Sequence, residues 1–369
     1  MYKKGILFYS ILALLCIASL IFVNQNASFY GRTIVEVTDV QLIDKQTVTE
    51  MGRNEDVQYT QKLIAKIKNG KEKGEEIELL NDYSYSGAYD YEFKKGHELF
   101  VAVNPSSKSE NRLTGEIRDI KRDKYLLVMI WVFIFTLVIV GKKQGFFSVI
   151  SLMVNAALLS FALDIYVNND SISLVFICGV SAIFFTAISL FLTNGFNEKT
   201  YAAIVATLIG TLLSLGVTYL VIWGTGGNGL RYEEMQFLSR PYVMIFMASL
   251  FVGSLGAVMD IAMTMSASIF EIYEKNPNVQ VNALRKSGMA IGKDVMGTMT
   301  SILFFVYISG TLPMLILYLK NAAPLGFTLT INLSLELARA LAGGIGIVLT
   351  IPIGLYTAIF FIRRKQVRL

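Results

Sequence analysis

Cysteine and histidine are almost absent from this chain, and basic clusters paired with aromatics are missing altogether. It has two cysteines in 369 residues, Cys16 and Cys178, and both fall inside long apolar runs. The polar stretch between them, residues 24–123, has none, so no disulfide framework is expected. The single histidine, His97, lies in that polar stretch and reads as a surface residue. One histidine excludes an HExxH zinc site and a buried serine–histidine pair. The net charge of +5 is not gathered into a basic stripe interleaved with aromatics, so nucleic acid is not an expected partner. The glycine-rich stretch 224–241 lacks the GxxxxGK[ST] spacing of a phosphate loop. An intramembrane aspartyl protease needs two carboxylates sharing a proton. Asp260 would need Asp164 as its partner, and no GxGD occurs. The expectation is a chain that is not an enzyme and carries no cofactor and no metal.

What the chain does have is apolar sequence: 54% of it is hydrophobic, gathered into runs long enough to cross a bilayer. Eight runs stand out, at residues 6–23, 125–140, 146–167, 172–192, 200–223, 242–272, 296–319 and 340–362. The first follows Lys3 and Lys4, is too long for a signal-peptide core, and lacks a clear cleavage site, so it reads as an uncleaved anchor. Residues 24–123 differ in kind. Tyr59, Leu63, Ala65 and Ile67 alternate with polar residues, as do Ile77 and Leu79, and less cleanly Leu99, Val101 and Val103. Asn69-Gly70 and Lys73-Gly74 supply turns. The tyrosine-rich segment 82–91 reads either as a contact surface or as a loop packed on the domain. The expected fold is an α-helical integral membrane bundle of about eight transmembrane helices, with a small extracytoplasmic mainly-β domain, barrel or sandwich, between the first two spans. The expected domains are the anchor at 1–23, the β-domain at 24–123 and a seven-span membrane domain at 124–369.

The sixth run organises the rest. Residues 242–270 carry one charge, Asp260. Ser249, Gly253, Ala257, Asp260, Thr264, Ala267 or Ser268, and Glu271 recur at steps of three or four, so they share one helical face. An intramembrane carboxylate faces protein or water rather than lipid, and small residues admit a second backbone. The expectation is that Asp260 points into the bundle. Thr264, Ser254, Asn155 and Thr300 are candidates to complete a polar substrate or ion site around it; inter-helix hydrogen bonding is the plainer reading of Asn155 and the hydroxyls. Asp260 itself, near the inner end of the run, has the plainer alternative of pairing with Lys293. Gly253 and Gly256, and Gly310 with Pro313, mark interrupted helices or hinges. A small-residue face at Ala203, Ala206 or Thr207, Gly210, Ser214 and Thr218, and glycines including Gly343 and Gly346 in the last run, read as packing surfaces. Asn197 is a candidate helix cap. Residues 273–295 suggest an amphipathic helix on the membrane surface. Residues 320–337 suggest a loop or re-entrant piece. Glu336 and Arg339 form a candidate external pair or gate, or an ordinary i,i+3 surface pair.

Lysine and arginine concentrate in one set of loops: residues 3–4, 142–143, 199, 275–293 and the tail from Arg363. With eight spans this puts both termini in the cytoplasm and the β-domain outside.

Four segments taken together resemble the YibE/F family of bacterial multi-pass membrane proteins: LTNGFNEKT at 192–200, GSLGAVMDIAMTMSAS at 253–268, GKDVMGTM at 292–299 and ELARALAGGIGIVLTIP at 336–352. The resemblance spans residues 24–362, and the soluble domain is more similar to the YibE type than to the YibF type. It implies an integral protein of the bacterial cell membrane, with a YibF-like membrane protein or a second copy as candidate partner besides the lipid bilayer. Transport is the activity usually suggested for the family. Two functions are therefore expected as alternatives: a permease or transporter component with Asp260 as its polar site, and a non-transporting assembly or ligand-sensing component.

Overall fold

The computed structural model describes residues 2–50, 54–87, 90–109, 112–169, 172–235 and 241–368. Asp170, Arg240 and two residues of the tyrosine-rich segment, Ala88 and Tyr89, lie outside them. The chain divides into two compact units, residues 1–136 and 137–369.

In the first unit, helix α1 (Tyr2–Gln25) leads into five strands: β1 (Thr33–Glu50), β2 (Asn54–Ile67), β3 (Glu76–Ser84), β4 (Glu98–Ser109) and β5 (Arg112–Ile120). They close into a barrel in the order β1-β2-β3-β5-β4, with β3 and β5 parallel and the other pairs antiparallel. This is the connectivity of the five-stranded Greek-key OB barrel. Barrel rather than sandwich is thus the form the β-domain takes. Val35, Val37, Leu63, Ala65, Ile67, Ile77, Leu79, Leu99, Val101 and Leu113 fill its interior. The alternating positions expected in β2, β3 and β4 are among them. β1 and β2 were built for more than the barrel: their pairing runs from Val35↔Ile67 out to Glu50↔Asn54. Irregularities between Val37 and Asp39 and between Leu42 and Asp44 bend β1 as it leaves the barrel. On that projecting arm Tyr59 stacks on Tyr83 at 5.0 Å and Lys45 lies 5.7 Å from the Tyr59 ring. Tyr85 is 81% exposed, whereas Tyr91 meets Arg122, so the tyrosine-rich segment divides between surface and packing.

Asn69 does more than turn the chain. It is buried, accepts a hydrogen bond from Ile34 N at 2.7 Å, and donates to the carbonyls of Ala27, Tyr30 and Arg32. A single amide thereby fixes the lead-in from α1 to the barrel. A second tie is ionic. The Lys121 side chain is 2% exposed, and its Nζ lies 2.6 Å from Glu98 Oε2 and 3.4 Å from Asp123 Oδ1. Lys68 bridges Glu98 at 2.8 Å and Glu36 at 2.9 Å. Asn26 and Tyr30 donate to the second oxygen of Asp123. Burial alone would raise the Glu98 carboxyl, but the hydrogen bonds from Lys121 and Lys68 outweigh it and hold it below the ordinary carboxylate range.

Helix α2 (Asp123–Asn168) runs where two spans and a connecting loop were expected. It is broken once, at Lys142, whose φ of 47° is a left-handed value that a side chain rarely adopts. The Gly141–Gly145 turn is therefore a kink. Beside it, a Cβ on Gly145 would collide with the Leu137 carbonyl, so the glycine permits the close return. The break separates segments 123–141 and 143–168, each near the roughly 20 residues that cross a bilayer core.

The second unit continues with α3 (Leu174–Asn194), α4 (Glu198–Gly224), α5 (Tyr242–Lys275), α6 (Val281–Lys320) and α7 (Leu325–Arg368). Asn197 caps α4 as expected, accepting from Thr200 N at 3.0 Å. Among the described residues seven helices are long and apolar enough to cross a membrane. Two expectations fail here. The amphipathic piece and the seventh span are one helix, α6, which runs through Gly310 and Pro313. The expected loop or re-entrant piece at 320–337 is helical from Leu325 onward. Thr328 and Asn332 there turn their polar groups to carbonyls of the preceding turn, so polarity does not end the helix.

α7 packs along α4, α5 and α6. The seam is made by glycines facing bulk. A Cβ built on Gly346 of α7 would lie 2.8 Å from Val258 Cγ2 of α5, and one on Gly210 of α4 would lie 3.2 Å from Val258 Cγ1. The first is closer than side-chain carbons tolerate and the second is tight, so Val258 fits because Gly346 is bare and Gly210 leaves room beside it. The expected small-residue face of α4 is buried: Ala203, Ala206, Thr207, Gly210, Ser214 and Thr218. Ser214 also donates to the Ala342 carbonyl of α7 at 2.8 Å.

Two outcomes are expected. Gly346→Val should lower unfolding stability by about 3 kcal/mol or more, since overpacking costs roughly 1–3 kcal/mol even where the site can adjust; Val258→Ala in the same chain should recover part of the loss in thermal unfolding. For the barrel, the depressed Glu98 carboxyl contributes stability that is present above the unfolded-state value and lost as pH falls through the folded one. Glu98→Gln removes a carboxylate from both Lys121 and Lys68 and leaves Asp123 to pair the buried Lys121; it should cost about 1.5–3 kcal/mol at neutral pH, and should flatten the acid limb of a circular-dichroism melting series.

Candidate functional site

Helix α5 buries one face and leaves the other open. Phe246, Leu250, Phe251, Val258, Ile261, Met265 and Ile269 are buried. Gly256 and Asp260 are exposed, and Ser249, Gly253, Ala257, Thr264, Ala267 and Ser268 are half-buried. The expectation that Asp260 points into the bundle is therefore corrected: in this chain it faces outward. The reason is complementary volume. α4 and α7 present glycines and small hydroxyls, and grooves of that kind are filled by the large side chains of α5, which turns its own small residues away. Asp260 makes no hydrogen bond or ion pair among the described residues, with Lys293 or any other group.

The open face is not uniform. At its N-terminal end Arg339 and Glu336 of α7 form an ion pair, their side chains 19% and 21% exposed. Arg339 Nε donates to Ser249 Oγ at 3.4 Å, and its guanidinium lies 5.5 Å from the Phe246 ring. Tyr232, from the loop after α4, meets Phe246 edge-on at 5.6 Å. A Cβ on Gly253 would collide with the Tyr307 hydroxyl of α6. Arg339, Glu336, Ser249, Gly253 and Tyr307 are thus gathered by three helices, and the pair is more than a surface contact. Below it on α5, Gly253, Gly256, Asp260 and Thr264 follow at steps of three or four. Asp260 is seven residues from Gly253, about 10 Å along the axis. The α5 helix is continuous here, so the expected interruption at Gly253 and Gly256 does not occur.

The other candidates lie apart from this stripe. Ser254 is buried and donates to the Phe251 carbonyl of its own helix at 3.1 Å. Asn155 of α2 donates to Ser189 Oγ of α3 at 2.6 Å, where Ser151 also bonds, and so ties two helices. The methyl of Thr300 faces Gly344 of α7, and Leu303 of α6 faces Gly343. Gly346 lies in the Val258 seam. Gly310 and Pro313 are exposed on α6. Tyr307 was not singled out from the sequence. Its signal is a hydroxyl in the middle of an apolar helix, which needs a polar neighbour.

Seven long apolar helices, one of them broken, and a small Greek-key barrel define a multi-helix architecture that suggests a membrane protein. The chain belongs to the YibE/F family: the model described as YibE/F-like protein matches residues 129–364, and that of the YibE/F family N-terminal domain matches residues 28–120. No curated protein and no solved structure matches it.

A pair whose side chains are 19% and 21% exposed lies between a surface pair, worth about 0–1 kcal/mol, and a buried one, whose breaking costs about 3–5 kcal/mol. Arg339→Gln and Glu336→Gln should each destabilise by an amount between those limits, and the double variant should fall short of their sum by roughly 1–3 kcal/mol. Thermal unfolding of all four chains checks this; strict additivity would show that the two side chains act separately.

Proposed function

We propose that the chain is a component of a membrane permease rather than an enzyme, and that its Asp260 stripe is completed by a second polypeptide, YibF-like or another copy of this chain. The observation that carries this reading is an exposed carboxylate, flanked by Gly256, on a helix otherwise apolar enough to cross a membrane. A carboxylate facing lipid costs about 2.5–3.5 kcal/mol on insertion scales. Protein cover removes that cost, and small residues on either side of Asp260 admit a neighbouring helix. From Ser249 to Asp260 the polar stripe extends about 16 Å, half the thickness of a bilayer core. Asp260 then serves as the ion or proton group, Thr264 lines the stripe, and the Glu336–Arg339 pair with Ser249 and Tyr307 closes its outer end.

The membrane arrangement belongs to the same proposal. Counting the two segments of α2 separately gives eight spans, with both termini on one side. The lysines and arginines of the tail and of residues 142–143 and 275–293 support a cytoplasmic position for that side, with residues 24–123 outside the cell membrane. A non-transporting, ligand-sensing assembly is the second reading. It is favoured by the barrel's OB connectivity and by an open cleft of about 500 Å³ beside β3 and β5 that includes Glu78, Asn81 and Asp82.

The test is Gly256→Cys in a chain whose Cys16 and Cys178 are serine. A photo-activated cross-linker attached to that thiol, which inserts into neighbouring C–H bonds whether or not the partner carries a cysteine, should link it to a second polypeptide in native membranes. Asp260→Asn should preserve that cross-link while abolishing solute flux. Absence of any cross-linked species overturns completion by a second chain. A cross-link with flux of every tested solute unchanged in Asp260→Asn overturns the permease and leaves the assembly.

A further inference from the structure

α6 and α7 run antiparallel along a tight seam, with Gly288 of α6 against Leu355 of α7 and Gly292 against Ile351. Beside the seam is an open cleft of about 580 Å³, lined by Asn282, Arg285, Lys286 and Met289 of α6 and by Pro352 and Tyr356 of α7. The four α6 residues recur at steps of three and four, so they form one stripe. A run of cations on a helix is ordinarily a solvated face. Arg285 departs from that pattern: its Nη2 donates to the Tyr356 hydroxyl at 2.7 Å, and its guanidinium lies 5.3 Å from the Tyr356 ring centroid. It is held in place by the opposite wall of the cleft. Among the described residues neither Arg285 nor Lys286 pairs with a carboxylate. Two cations and an amide donor thus converge with no anion of the chain's own.

The surroundings identify what kind of anion fits. Tyr356 and Met289 are themselves partly exposed, and on α7 the large side chains Val348 and Phe360 flank the cleft, 47% and 61% exposed. Arg363 is two turns beyond Tyr356 on the same side of α7 and is exposed. A free phosphate would use the donors and leave this apolar border without a partner. A phosphate attached to acyl chains would use both.

We propose that this cleft binds the headgroup of an anionic phospholipid. Arg285 and the Asn282 amide donate to the phosphate oxygens, Lys286 supplies the second positive charge, and Met289 and Tyr356 take the glycerol and upper acyl chain. Basic pockets between helices at a membrane edge suit such headgroups, and each cation near an anionic surface is worth roughly a fivefold gain in binding. The site is separate from the Asp260 stripe and requires only that α6 and α7 lie in a bilayer.

The full-length chain, purified in detergent and stripped of lipid, is titrated with phosphatidylglycerol, phosphatidylcholine and inorganic phosphate, and bound species are counted by native mass spectrometry. Phosphatidylglycerol should bind saturably and phosphatidylcholine far more weakly. Arg285→Gln with Lys286→Gln should weaken phosphatidylglycerol about twenty-five-fold, the product of roughly fivefold for each cation. Lys142→Gln with Lys143→Gln, which removes the same charge elsewhere, should change it less than twofold. Tyr356→Phe keeps the ring but releases Arg285, and should produce a several-fold loss without loss of charge; it also serves as the reading if the double variant unfolds at a lower temperature in lipid-free detergent. Equal losses in the two double variants, equal binding of the two lipids, or unchanged binding in Tyr356→Phe overturns the proposal. Saturable inorganic phosphate that displaces the lipid also overturns it, in favour of a free-phosphate site.

Discussion

The two methyl groups of Val258 sit against Gly210 on one helix and Gly346 on another, and the packing of the second unit follows from that contact. Three backbones approach closely only because two of them carry no side chain there. Around this point α5 supplies bulk and α4 and α7 supply hollows. Met265 of α5 repeats the arrangement against Gly354 two turns along α7, where a Cβ would lie 3.1 Å from Met265 Cβ. Van der Waals contact of this kind is short-ranged, so it fixes rotation as well as distance. It also decides which side of α5 is left for anything else to touch. The outward position of Asp260 is thus a consequence of core packing.

That consequence marks the limit of what could be read from residue spacing. The spacing placed Ser249, Gly253, Asp260 and Thr264 on one face, and they are on one face. Whether that face is turned in or out depends on the shapes of the neighbours, which no single helix encodes. The small-residue face of α4 was legible because it is the recipient in the same packing. In the barrel, the alternation of β2 and β3 was plain, whereas β1 was hidden. Its 18 residues pass through two irregularities, and each interrupts the inside–outside alternation. The polar starts of α6 and α7 read, by composition alone, as a surface helix and a loop. Backbone hydrogen bonds and the company of neighbouring helices carry the helix through them.

Two kinds of polar group are embedded in this chain, and they differ in completeness. The Glu336–Arg339 pair is satisfied from within, by its own partner, by Ser249 and by the ring of Phe246. Asp260 is not. Glu336 on α7 is thus provided for, whereas Asp260 on α5, about three turns from the Ser249 that serves the pair, has no partner among the described residues.

The ion network at the base of the barrel has a mechanical meaning. The chain comes into the barrel from α1 and leaves it into α2, and Asp123, where α2 begins, is gripped by Asn26 and Tyr30 from the incoming side and by Lys121 from the outgoing one. The barrel is consequently a handle with two roots clamped together. The contacts at Asp123 couple the two roots, so load on one passes in part to the other.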